Sequence, residues 1–169
     1  MRVYFNDKGK VMINDKGKKK MRKDLFDQLY KNRLMSTDEE FHLYEEAEYL
    51  LGQEIVEDDI IEICKIFDDQ TEENEVMWGL IHLIEIYNSK YAYRLTLQGI
   101  SNMLTATEWA KIILIRCLNQ DTARDMLKQA FHEVEPEVQK KVISVMKMIQ
   151  SEYQGRFDAH IAYVINEVN

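Results

Sequence analysis

The sequence predicts an all-α fold, and three observations carry that expectation. Only one proline and six glycines occur in 169 residues, and beyond residue 17 the glycines are Gly52, Gly79, Gly99 and Gly155 alone. Chain breakers are therefore scarce. From Lys23 onward, apolar residues recur at three- and four-residue spacing, the period of a helix with one buried face. The gaps between these stripes are short, as between helices packed side by side. A chain of this length with 46% hydrophobic residues suffices for one domain with a single core.

Residues 1–22 differ in kind. Arg2-Val3-Tyr4-Phe5 and Lys10-Val11-Met12-Ile13 flank Asn6-Asp7-Lys8-Gly9 and read as two short β runs around a four-residue turn. Asn14-Asp15-Lys16-Gly17 repeats the turn word, and Lys18-Lys19-Lys20 follows. An isolated hairpin is marginal in water. The expectation is a small basic hairpin laid on the helical body, or a basic tail.

Residues 23–169 read as one all-helical domain. Leu25, Phe26, Leu29, Tyr30 and Leu34 make the first stripe. Ser36-Thr37-Asp38-Glu39 resembles a capping box and opens a second helix, which carries Phe41, Tyr44, Ala47, Tyr49, Leu50 and Leu51 and ends near Gly52. A third spans about Glu57 to Phe67. Thr71 is the candidate cap of a fourth, which runs through Tyr87. Further helices are expected over Lys90–Leu104, Thr107–Leu118, Thr122–Val134, Glu137–Gln154 and Arg156–Val168, with Pro136 in a first turn, where its missing N–H does no harm. Short links imply antiparallel hairpins. Their stacking would give a short HEAT-like α-solenoid, although an irregular bundle fits the same pattern.

Charge is the strongest functional signal. Residues 38–75 hold sixteen carboxylates and one base, Lys65, for a local charge of −15. Residues 1–23 hold nine bases and two acids, for +7, and residues 76–169 hold ten of each. Like charges this dense repel one another unless a positive partner relieves them. Asp58, Asp59, Asp68, Asp69, Glu72, Glu73 and Glu75 are the candidate contact residues, at the two ends of the third and fourth helices. Helix caps on a solvated, solubilising face are the competing explanation. One base among so many acids counts against it, because ordinary surfaces mix signs. The excess of acid also argues against nucleic acid or an anionic membrane as a partner.

Other chemistry finds little support. No stretch has the alternating oxygen ligands, central glycine and closing glutamate of a calcium loop. Nucleophile elbow, phosphate-binding glycine loop and paired-cysteine zinc spacing are all missing. His82 and Glu85 stand three apart on one helix, but a di-iron bundle needs two Glu-x-x-His pairs with two further glutamates, and the chain does not supply them. No metal or other cofactor is therefore expected. Cys64 and Cys117 fall in apolar helical patterns and read as buried thiols of a reducing compartment. With no signal-like apolar run at the start and no membrane-length stretch, a cytoplasmic location is expected. Arg116 continues the stripe of Trp109, Ile112 and Ile113, so it is expected to be buried against Glu85 as a structural pair.

Several of these words resemble one family. Phe67-Asp68-Asp69-x-Thr71-Glu72, Glu75-Val76-Met77-Trp78-Gly79-Leu80-Ile81-His82-x-Ile84-Glu85, Glu108-Trp109-Ala110 and Arg116-x-Leu118-Asn119 are similar to the Immunity protein 30 family across about residues 34–150. Its members accompany polymorphic secreted bacterial toxins and protect their makers by binding the cognate toxin. The resemblance implies an all-helical, non-enzymatic protein with a toxin partner, and carries no catalytic residues. The charge pattern is compatible with it, since toxins that cleave nucleic acids present basic clefts. An α-solenoid adaptor holding a basic protein or peptide is the rival expectation.

Overall fold

The computed structural model describes residues 4–5, 11–12 and 15–166. Tyr4–Phe5 (β1) and Val11–Met12 (β2) pair antiparallel, Tyr4 opposite Met12 and Phe5 opposite Val11. The expected turn, Asn6 to Gly9, lies outside the described residues. Nine α-helices follow among the described residues: α1 Asp15–Asn32, α2 Asp38–Glu54, α3 Ile60–Cys64, α4 Asn74–Glu85, α5 Lys90–Ile100, α6 Thr107–Asn119, α7 Asp121–Phe131, α8 Pro136–Glu152 and α9 Asp158–Ile165. The body is all-helical.

Local chemistry explains several of the boundaries. Thr37 caps α2, its hydroxyl accepting from Glu40 N–H at 3.2 Å, while the Glu40 carboxylate accepts from Ser36 N–H at 2.9 Å. Ser89 caps α5 by accepting from Ala92 N–H at 3.0 Å. Pro136 occupies the first turn of α8. Between α1 and α2 the chain turns through Met35 at φ 51°, a left-handed conformation held because its side chain is buried.

Three expectations are corrected. The expected second turn, Asn14-Asp15-Lys16-Gly17, is not formed at Asp15 to Gly17, because α1 already begins at Asp15, and Asn14 lies outside the described residues. Lysine is a good helix former, and one glycine costs a helix only about 1 kcal/mol. The third helix is not continuous from Glu57 to Phe67. Glu57–Asp59 form a 3₁₀ turn, and α3 covers only Ile60–Cys64. Nor does Thr71 cap α4. It is buried, its hydroxyl has no hydrogen-bond partner among the described residues, and Glu73 stands at the cap position.

Beyond the α1–α2 hairpin, helices pack on every second neighbour. α3 meets α5, α5 meets α7 and α7 meets α9, while α2 meets α4 and α6 meets α8. α6 also packs on α7 and α9, and α5 on α8, which joins the two rows. The core runs between them through Leu29, Tyr44, Leu51, Ile63, Leu80, Leu97, Leu114, Leu127 and Met146, all fully buried. α3 and α5 approach so closely at Gly99 that a Cβ there would collide with Cys64 Sγ and stand 2.7 Å from Cys64 Cβ.

α2 and α4 run parallel. Tyr44 donates to Met77 Sδ, a side chain at Gly52 would touch Leu83, and Tyr87 donates to the Ile55 carbonyl. These contacts advance together along both chains. α3 serves as the crossover, so both α2 and α4 present their N-terminal ends on one side of the molecule.

Candidate functional site

The seven carboxylates singled out by charge meet different fates. Asp68 is buried, 6% exposed. It pairs with Arg33 Nε at 3.1 Å and accepts from Gln70 N–H at 3.0 Å, and its own carbonyl accepts from the Trp109 indole at 3.2 Å. Asp69 reaches across to α6, where its carboxylate accepts from Glu108 N–H at 3.1 Å and Trp109 N–H at 3.4 Å. It thus satisfies the open first turn of a helix distant in sequence. Asp59 pairs with Arg22 at 3.0 Å and accepts from Val56 N–H at 3.0 Å. Asp58 accepts from the Tyr91 hydroxyl at 2.8 Å.

Glu72, Glu73 and Glu75 are exposed. They cluster where α4 starts, beside the start of α2. There a concavity of about 330 Å³ is lined by Asp38, Glu72 and Glu73 together with Met35, Thr37 and Phe41. Glu72 N–H donates to the Leu34 carbonyl at 3.0 Å and holds the two ends together.

From this end a groove of about 650 Å³ runs between α2 and α4. Glu45, Glu48 and Glu75 line it with Tyr49, Trp78, His82 and the backbone of Gly79, and among the described residues no lysine or arginine does. Glu48 is the residue that sequence reasoning missed. Its carboxylate lies on Gly79, where a Cβ would occupy the same space. Burial, with added repulsion from Glu45, pushes Glu48 from an ordinary 4.5 up to about 7. The available signal was Gly79 itself, a glycine inside a helical stripe, which often marks a close approach.

Glu85 and Arg116 do form a pair. Arg116 Nε donates to Glu85 Oε1 at 2.5 Å and Nη2 to Oε2 at 2.7 Å, with the guanidinium 5.5 Å from the Trp78 ring. The expectation of burial is corrected, since their side chains are 39% and 41% exposed. A long arginine on the edge of an apolar stripe carries its head group out to water. The pair sits at the mouth of a cavity of about 310 Å³ whose lining includes Tyr93, Thr96, Ile113 and Cys117. His82 lines the α2–α4 groove instead, so His82, Glu85 and Arg116 are not brought into one site.

Burial pushes the thiols of Cys64 and Cys117 up to about 12, which makes both poor nucleophiles at neutral pH. Among the described residues no cluster of three His, Cys, Asp or Glu side chains could hold a metal ion. No helix among them is long and apolar enough to cross a membrane.

The family model for Immunity protein 30 matches residues 31–127. The chain belongs to the Immunity protein 30 family. No curated protein and no solved structure matches it. The matched span runs from the end of α1 into α7. It therefore includes every carboxylate discussed above, the α2–α4 groove and the Glu85–Arg116 pair. Immunity protein 30 membership points to a protein that binds a cognate toxin.

Proposed function

We propose that this protein binds and neutralises a cognate secreted toxin, and that it does so without turnover by covering the toxin's active site with an acidic surface. The family match over residues 31–127 is the observation that carries the reading. The charge of residues 38–75 gives it a mechanism. A dense acidic surface steers a basic cleft into contact and holds it through charge pairs that lose their water. A toxin that cleaves nucleic acid fits best, because phosphate binding demands such a cleft.

The proposed contact residues remain Asp58, Asp59, Asp68, Asp69, Glu72, Glu73 and Glu75, with roles divided by their surroundings. Glu72, Glu73 and Glu75 offer exposed carboxylates directly. Asp58 offers a second acceptor lobe beside Tyr91. Asp59, Asp68 and Asp69 shape the backbone that presents the others. The alternate packing of helices supports reading the body as a short HEAT-like stack, a form suited to displaying one extended face.

The test is co-expression with the toxin domain encoded beside this gene, scored by growth and by co-purification. Protection is expected, and replacing Glu72, Glu73 and Glu75 by Gln should weaken the complex and flatten its salt dependence. Unchanged affinity and salt slope would reject the acidic-surface mechanism. Failure to protect against that toxin would reject immunity itself.

A further inference from the structure

The α2–α4 groove lacks the counter-charges its shape invites. Three carboxylates line it, and among the described residues nearby lysines and arginines of the sequence pair elsewhere: Lys65 with Glu62 at 2.6 Å, Arg33 with Asp68 at 3.1 Å, and Lys90 with Glu133 at 2.7 Å. Glu48 has no ion pair among the described residues, and its half-buried side chain is pressed onto the α4 backbone at Gly79. Around it lie Val76, Leu83, Trp78 and Tyr49, and Tyr49 is 71% exposed. The lining from Glu45 to Gln53 covers nine residues of helix, eight rises or about 12 Å. That length suits an extended peptide segment, and an apolar trough edged with carboxylates suits a long cationic side chain, which needs both an oily stem contact and an anionic terminus.

We propose that the α2–α4 groove is the seat of a lysine- or arginine-bearing segment of the partner protein, with its cationic head against Glu45, Glu48 and Glu75 and its stem along Trp78 and Tyr49. This inference rests on the reading that the partner is a basic protein, and it adds the place of contact and the chemistry of the anchor. An arriving cation offsets the repulsion between Glu45 and Glu48. It also converts Glu48 from a group that holds its proton near neutrality into a paired carboxylate. The groups facing Glu48 are Glu45 and Tyr44 on α2 with Glu75 and His82 on α4.

The experiment uses the full chain, isotope-labelled, titrated with a hexa-arginine peptide in about 150 mM salt. Expected are shifts concentrated on Gly52, Gly79, His82 and the Trp78 indole, and a fall in the side-chain titration midpoint of Glu48. A Glu45→Gln/Glu48→Gln/Glu75→Gln chain should bind the peptide about tenfold more weakly. Glu39→Gln/Glu46→Gln/Glu137→Gln removes the same number of exposed charges outside the groove and outside the proposed contact residues, and should cost much less. Equal or greater loss from that second chain, shifts centred elsewhere, an unmoved Glu48 midpoint, or no binding would each overturn the groove. Those outcomes leave the immunity reading standing, because growth protection tests it separately.

Discussion

Residues 76–169 hold as many bases as acids, and there the charges neutralise each other at short range. Lys90 and Arg94 share Glu133, Lys111 bridges Glu108 and Glu152, Arg116 forks onto Glu85, and Arg124 meets Asp121. Residues 38–75 have one base for sixteen acids, and their carboxylates turn to other donors. Backbone N–H groups serve Glu40, Asp59, Asp68 and Asp69, hydroxyls serve Glu57 and Asp58, and Arg22 of α1 and Arg33 just beyond its end supply bases. A charge imbalance in sequence is thus partly absorbed by architecture. The functionally interesting acids are those that neither a base nor the backbone has claimed.

That contrast can be broken most sharply at Asp68. Asp68→Ala strands Arg33 and the Gln70 N–H, and should cost about 2–4 kcal/mol in urea unfolding. Asp68→Asn keeps an acceptor for Gln70 and should cost less. A change within about 0.5 kcal/mol for the alanine variant would show that this acid is merely a surface group after all. Asp69→Ala uncaps α6 and should cost about 1–2 kcal/mol, with hydrogen exchange quickening first at Glu108 and Trp109.

Glu48 makes the contrast pH-dependent. Its folded-state value of about 7 lies above the ordinary 4.5, so the folded form binds the proton more tightly. The associated stability is fully present below about 4.5 and is lost as pH rises through about 7. Glu48→Gln should therefore unfold like the parent chain in acid, yet be about 1 kcal/mol more stable at pH 8, the full linkage value being cut by solvent screening. A stability difference that is flat across this range would place Glu48 among the solvated acids. Glu85→Gln should have the smallest effect, under about 1 kcal/mol, because the pair with Arg116 is exposed. A Tm shift of many degrees there would erase the distinction between the two regions.

Much of the fold was legible because periodicity is a local property. The stripe of Leu25, Leu29 and their neighbours, the Thr37 cap and the first-turn Pro136 each follow from a few adjacent residues, and even the Glu85–Arg116 partnership followed from helical spacing. What escaped depends on contacts between distant segments. Asp69 reads as part of an acidic run, yet its acceptor duty belongs to a helix nearly forty residues onward. Glu48 looks like one more acid on a wet face, and only the parallel course of α2 and α4 sets it upon Gly79. Arg116 keeps the period of a buried stripe, but side-chain length carries its charge to the surface. The shortness of α3 also went unseen, because Glu57, Asp58 and Asp59 suit a 3₁₀ turn as well as an α-helical start.

The ties from Asp68 and Asp69 to Trp109 have a practical bearing on exchange between relatives. Any recombinant that imported residues 38–75 from another chain would bring a loop shaped for a different α6, and would leave this helix start uncovered. Crossover points that respect the molecule must carry the loop and Thr107–Trp109 as one inheritance, however far apart they stand in the gene.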